Sequence, residues 1–259
     1  MNFYDALTTI YYENPCQVLP TALWKILART EDLQTYVGVD EKDIILIKAW
    51  NENSLMVYWT RNRQDLPDFG KQSGDLKLAL IHQDHLSTFP STRFAIQKPY
   101  FRLLHKPSEV DDKVGLCNGF SFEEVKVEQD AGKVSQLIGQ CYPDMDVTTE
   151  TVLEWTKHPT YDPSLWVWVM DDEREIPVGL GIAEFDGNIL EGSLEWIQVL
   201  SEYRGMKIGK SIVQELLSRL KGRVKFTTVS GEVDNVTKPE ALYRSCGFTG
   251  SDIWWMFGN

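Results

Sequence analysis

The run Arg204, Gly205, Met206, Lys207, Ile208, Gly209 and Lys210 packs three cations and two glycines into seven residues. Glycines at such a point let the backbone turn sharply or let a ligand approach closely. Residues 194–200, just before it, are rich in the branched and aromatic side chains that suit a strand. After it, Ile208, Ile212, Val213, Leu216, Leu217 and Leu220 recur at a spacing that lays one apolar stripe along a helix. A strand, a short glycine loop and a helix N-terminus together make a seat for pyrophosphate. Unpaired N–H groups and the positive end of the helix dipole point at one place.

Two kinds of phosphate loop compete for this run. It falls one residue short of a P-loop, because Arg204 stands where the first glycine belongs. The roughly fifty residues that follow are also too few for the rest of a nucleotide-hydrolase sheet. The run is similar instead to motif A of the GCN5-related N-acetyltransferase (GNAT) superfamily, Arg/Gln-x-x-Gly-x-Gly/Ala. Arg204 comes first and Gly209 last, with Lys207 at the usual middle glycine. Downstream, Asn235 precedes Ala241, Leu242, Tyr243, Arg244, Ser245, Cys246, Gly247 and Phe248. That stretch resembles the family's second cofactor motif, an Asn followed by a helix ending in Leu-Tyr-x-x-x-Gly-Phe. Gly247 falls where a helix end needs a left-handed residue.

The resemblance runs from about 119 to the C-terminus and implies an enzyme that moves an acetyl group from acetyl-CoA to an amine. Such transfer requires holding the thioester, taking a proton from the amine, and stabilising the departing thiolate. For holding, it implies that backbone N–H groups from Arg204 to Lys210 wrap the pyrophosphate, while Ile197 and Val199 on the preceding strand border the pantetheine arm. For the base, alternation along the strand places Glu195 on the face of Ile197 and Val199, with Glu184 as the second candidate. For the acid, Tyr243 occupies the motif tyrosine. Asn235 either contacts the pantetheine or caps the following helix. The segment 141–147, with Asp144 and Asp146, lines the acceptor in this fold, and two acids there suit a cationic amine. Cys246 reads as a small buried residue, and Trp166, Trp168, Trp196, Trp254 and Trp255 as sheet packing. The rival from another class is a binding module that kept the fold and its acyl-CoA site without catalysis.

Several elements must position these groups. Strands are expected at 120–127, 165–170, 178–185, 189–200 and 224–229, with helices over 134–141, 148–156 and 208–220. The order strand, two helices, three strands, helix, strand, helix, strand is that of the GNAT fold: a mixed, mostly antiparallel twisted sheet flanked by helices. Residues 1–40 read as helical, and 44–104 as a mostly antiparallel set of strands. The expected domains are therefore 1–116, an additional α+β half, and 117–259, the acetyltransferase, joined by a linker at 107–119. The first is either a degenerate, motif-less copy of the same fold or an unrelated cap.

Apolar content of 42% and charged content of 25% are ordinary for a globular protein. The net charge of −12 argues against nucleic acid as a partner. Residues 1–116 hold 13 Lys/Arg against 15 Asp/Glu, a balance of −2, and residues 117–259 hold 13 against 23, a balance of −10. Yet residues 204–225 carry seven cations and only Glu215 as an acid. Arg204 to Lys210 suit phosphate, whereas Arg219, Lys221, Arg223 and Lys225 suit a solvated face. No apolar run reaches membrane-spanning length, and no leader is expected from the first fifteen residues. Four scattered cysteines point to a reduced, cytoplasmic setting. His82 and His85 alone do not make a metal site.

Overall fold

The computed structural model describes residues 1–62, 76–107 and 115–259. Residues 70–74, where Gly70 and Gly74 mark a turn in the sequence, and residues 108–114 of the expected linker lie outside the described residues. The chain divides into two compact units. One holds Met1–Leu104, Ser230–Glu240 and Gly250–Asn259, and the other His105–Val229 and Ala241–Thr249.

In the first unit, α1 (Phe3–Glu13) begins at Asn2, whose side chain accepts from the Asp5 amide at 2.8 Å, and buries Ala6, Leu7, Ile10 and Tyr11. Short helices α2 (Pro15–Val18) and α3 (Leu23–Leu27) follow. The helical reading of 1–40 fails at its end, where β1 (Gln34–Asp40) pairs antiparallel with β2 (Asp43–Trp50). Its hairpin turns on Glu41 at φ 52°, a residue type that gives no turn signal. Next come β3 (Ser54–Thr60), β4 (Leu78–His82) and β5 (Ile96–His105).

From residue 120 onward the elements follow the expected order. After β6 (Phe120–Glu124) come helices α4 (Val127–Cys141) and α5 (Thr149–Trp155). Three strands follow, β7 (Trp166–Asp171), β8 (Ile176–Asp186) and β9 (Glu191–Val199). Then come α6 (Ile208–Leu220), β10 (Phe226–Glu232), α7 (Pro239–Arg244) and β11 (Thr249–Gly258). Neighbours β6 to β9 are antiparallel, and β10 joins β9 in parallel. One face of this sheet carries α4 and α5 over Trp166, Trp168, Leu180 and Ile182. The other carries α6, seated so closely that a Cβ on Gly181 would stand 2.4 Å from Ile212 Cγ2.

The compact units do not coincide with the division expected at 116/117. The last strand returns to the first unit, where Trp254 and Trp255 pair with His82 and Ile81 of β4. Local composition carries no mark of such a long-range pairing.

Candidate functional site

The site is built around a strand that loses one neighbour halfway. β10 pairs with β9 only from Glu191 to Leu194, while β8 follows β9 on to Val199. The Leu200 amide donates to Val178 O at 3.0 Å, making those two a hydrogen-bonded pair. Antiparallel pairs alternate, so Val199 opposite Gly179, and Ile197 opposite Gly181, are non-bonded pairs. Their N–H and C=O groups therefore point away from β8, toward the edge that β10 has left. The Val199 carbonyl accepts there from Arg204 Nε at 3.2 Å and from the Cys141 thiol at 3.6 Å.

From that edge the chain enters a one-turn 3₁₀ helix, Ser201–Tyr203, and then the glycine loop. A network that the sequence reading missed anchors this turn. Tyr203 OH accepts from Arg174 Nη1 at 2.6 Å and donates to Asp171 Oδ2 at 2.9 Å. The Arg174 amide, with the Tyr203 hydroxyl and the Glu173 amide, holds the Asp171 carboxyl below the usual range. The sequence signal is the charged hairpin loop Asp171 to Glu175, and nothing in it names Tyr203 as its target.

The loop turns on two left-handed residues, Gly205 at φ 84° and Lys207 at φ 64°. Lys207 is the N-cap of α6 and makes no side-chain cap. Helix geometry leaves the amides of Ile208, Gly209 and Lys210 without intrahelical acceptors, and the Ser211 amide reaches Lys207 O at 3.1 Å. Among the described residues neither Lys207 nor Lys210 has a carboxylate partner. By contrast Arg219 is paired with Glu215 at 2.7 Å and Arg223 with Asp162, as suits a solvated face. Open amides and two uncommitted ammonium groups at one helix N-terminus fit the pyrophosphate of coenzyme A. Gly209 has a second duty, since a Cβ there would meet Leu242 Cδ2 at 3.3 Å and Val199 Cγ2 at 3.8 Å.

Glu195 corrects the simple alternation. Ala183 pairs with Leu194 and Ile182 with Trp196, leaving Glu195 as the extra residue of a β-bulge. Parity with Ile197 and Val199 is broken, so the expected shared face does not hold. The Glu195 carboxylate instead accepts from Ser193 Oγ. Ser193 lies opposite Glu184, two residues from Ile182 and so on the α4–α5 face. Glu184 itself is buried, with His158 Nδ1 at 3.5 Å.

Tyr243 is buried, and Gly247 at φ 89° closes the helix behind it. The Phe248 amide bonds back to Tyr243 O at 3.2 Å, and its ring stands 5.8 Å from the tyrosine ring. Burial, and then the nearby Tyr142, Cys246 and Glu195, push the phenol pKa up. The hydroxyl thus stays protonated and able to donate. Cys246 is buried and its thiol is raised by burial, in keeping with a small core residue. Asn235 belongs to the other compact unit. Its Oδ1 accepts from the Thr237 amide at 2.9 Å and hydroxyl at 2.7 Å, shaping the turn before α7.

Among the described residues no group of acids, histidines and cysteines has the arrangement of a metal site, and no helix is long and apolar enough to cross a membrane. All four cysteines are free.

Residues 163–250 match the family model described as an acetyltransferase (GNAT) domain. No curated protein matches the chain in sequence. Among solved structures, a GCN5-related N-acetyltransferase from Sphaerobacter thermophilus is similar with a TM-score of 0.67 at 13% identity. That match covers 91% of this chain and 84% of that one. A GNAT-family acetyltransferase from Colwellia psychrerythraea gives 0.65 at 12% identity, over 99% of this chain and 97% of that one. A tandem GNAT protein from the clavulanic acid biosynthesis pathway gives 0.55 at 13%, over 86% and 82%. Likeness at these identities bears on the fold, a large and mostly antiparallel sheet flanked by helices.

Proposed function

We propose that this chain, whose residues 163–250 match the family model of an acetyltransferase (GNAT) domain, moves an acetyl group from acetyl-CoA directly to a primary amine. Acetyl-CoA supplies the activated acyl group as a thioester. The observation that carries this reading is the freed edge of β9, where the backbone groups of Ile197 and Val199 lead straight into the open amides of α6. A pantetheine arm would hydrogen-bond along such an edge, and the amides from Gly205 to Lys210 would hold its pyrophosphate. The Val199 amide would hold the thioester oxygen.

Glu195, carried out of register by the bulge, takes the proton from the incoming amine. Tyr243, kept neutral by burial, gives a proton or a hydrogen bond to the leaving sulfur. Ser193 donates to the Glu195 carboxylate and orients it. Arg204, bonded to the Val199 carbonyl, fixes the corner between strand and loop. We assign the catalytic domain to 117–259. Residues 1–116 are read as a second copy without a cofactor loop, a reading supported by the likeness to a tandem GNAT protein.

The test is calorimetry of the full chain with acetyl-CoA, followed by thiol release in the presence of a panel of primary amines. Binding without added metal and turnover of at least one amine are expected. Absence of binding to a folded sample overturns the proposal. Tight binding with no turnover favours the non-catalytic acyl-CoA module.

A further inference from the structure

Resting on that reading of Glu195 as the base, we infer that the acceptor is a primary amine carried on a planar, aromatic body, bound against a row of rings beside the carboxylate. The row starts next to the base. Trp196 is the neighbour of Glu195 in the chain, and the bulge brings the carboxylate to Ser193, on the same sheet face as Trp196. Trp196 stacks on Trp155 of α5, with ring centroids 5.4 Å apart and planes 22° from parallel. Its other edge meets Tyr142, just past the end of α4, at 6.5 Å. The rings of Tyr142, Trp155 and Trp196 are only half-buried, with the partly buried Val147 and Leu200 packed on the same core.

This arrangement was read from the sequence as sheet packing, and Trp166 and Trp168 fit that reading because both are buried. Trp196 packs against the same core as well, but at its edge, with part of its surface uncovered. A partly uncovered ring is well matched by another flat ring, which can stack on it or meet it edge-on. Charge agrees with an amine. Asp144 and Asp146 are exposed on the segment that follows Tyr142, and an ammonium group over a Trp or Tyr face gains further attraction before it is deprotonated. Selectivity for the carbon skeleton therefore rests on the rings, and chemistry rests on Glu195 and Tyr243.

The experiment compares kcat/KM for 2-phenylethylamine and tryptamine with that for butylamine, spermidine and glucosamine, in the wild type and in Trp196→Leu and Trp196→Phe. At least a tenfold preference for the arylalkyl amines is expected in the wild type. It should collapse to within about threefold in Trp196→Leu, mainly through KM, and be largely kept in Trp196→Phe. A preference for spermidine or glucosamine, or equal losses on all amines in Trp196→Leu, overturns the inference while leaving the acetyltransferase reading intact. Should no amine be turned over, calorimetry of tryptamine into the CoA-saturated protein decides the pocket alone. Binding that Trp196→Leu abolishes supports it, and no binding overturns it.

Discussion

Lys207 sits where a glycine is expected, in a left-handed conformation at φ 64° and ψ 8°, and this sets up a sharp test of how the phosphate loop works. A side chain with a Cβ costs about 1–2 kcal/mol in that region. Glycine in its place would relieve that cost but give the unfolded chain about 0.5–1 kcal/mol more entropy to lose. Lys207→Gly should therefore stabilise the fold by about 0.5–1 kcal/mol, a rise in Tm of about 1–4 °C for a chain of this length. If the amides of 205–210 bind the pyrophosphate, the variant should hold CoA as tightly as the wild type, or more so. Lys207→Ala is the control, because it keeps the strain and removes only the ammonium. Thermal unfolding without ligand and calorimetry with CoA read out both quantities. A lower Tm for Lys207→Gly would refute the strain argument. A tenfold weaker Kd in both variants would show that the Lys207 ammonium is itself a phosphate ligand.

Gly209→Val should weaken CoA binding at least tenfold, about 1.4 kcal/mol. The new side chain presses on Leu242 as well as on the ligand, so Tm should also fall, whereas Gly209→Ala should cost less in both assays. Glu195→Gln and Tyr243→Phe should each lower kcat by roughly tenfold or more with little change in CoA affinity. With an acceptor amine of low pKa, the rising limb of the rate–pH profile should flatten in Glu195→Gln; an unchanged profile would remove Glu195 as the base. Asp171→Asn should release Tyr203 and the loop behind it, weakening CoA binding several-fold in calorimetry. The Asp171 carboxyl is held below its ordinary value, so its stabilisation is full above the unfolded-state value near 4 and fades as pH falls through the lower folded one. Acid unfolding of the wild type should thus be steeper than that of Asp171→Asn.

What the sequence disclosed, and what it hid, follows from the range of the interactions concerned. The stripe on α6, the glycine loop and the closure at Gly247 and Phe248 are local, each fixed by residues within a few turns of one another. All were legible, as was the order of elements from β6 to β11. The hairpin at Glu41 was hidden because its left-handed turn uses residues without turn chemistry. The return of β11 to β4 and the grip of Asp171 on Tyr203 were hidden because their partners lie far apart in the chain.

The bulge at Glu195 belongs to a third kind, a one-residue slip in register between two strands whose sequences look regular. Strand alternation puts Glu195 with Ile197 and Val199, under α6, where a carboxylate would face Ile208 and Ile212 rather than an amine. The slip removes that conflict. It lets Ile197 and Val199 keep their apolar side chains on the α6 face and their backbone groups on the freed edge, while Glu195 reaches Ser193 on the opposite face. In the proposed mechanism this one irregular residue separates two jobs of the strand, holding the cofactor with its backbone and serving the acceptor with a side chain. It falls where β10 stops pairing, at Leu194, the point where, on that proposal, both jobs begin.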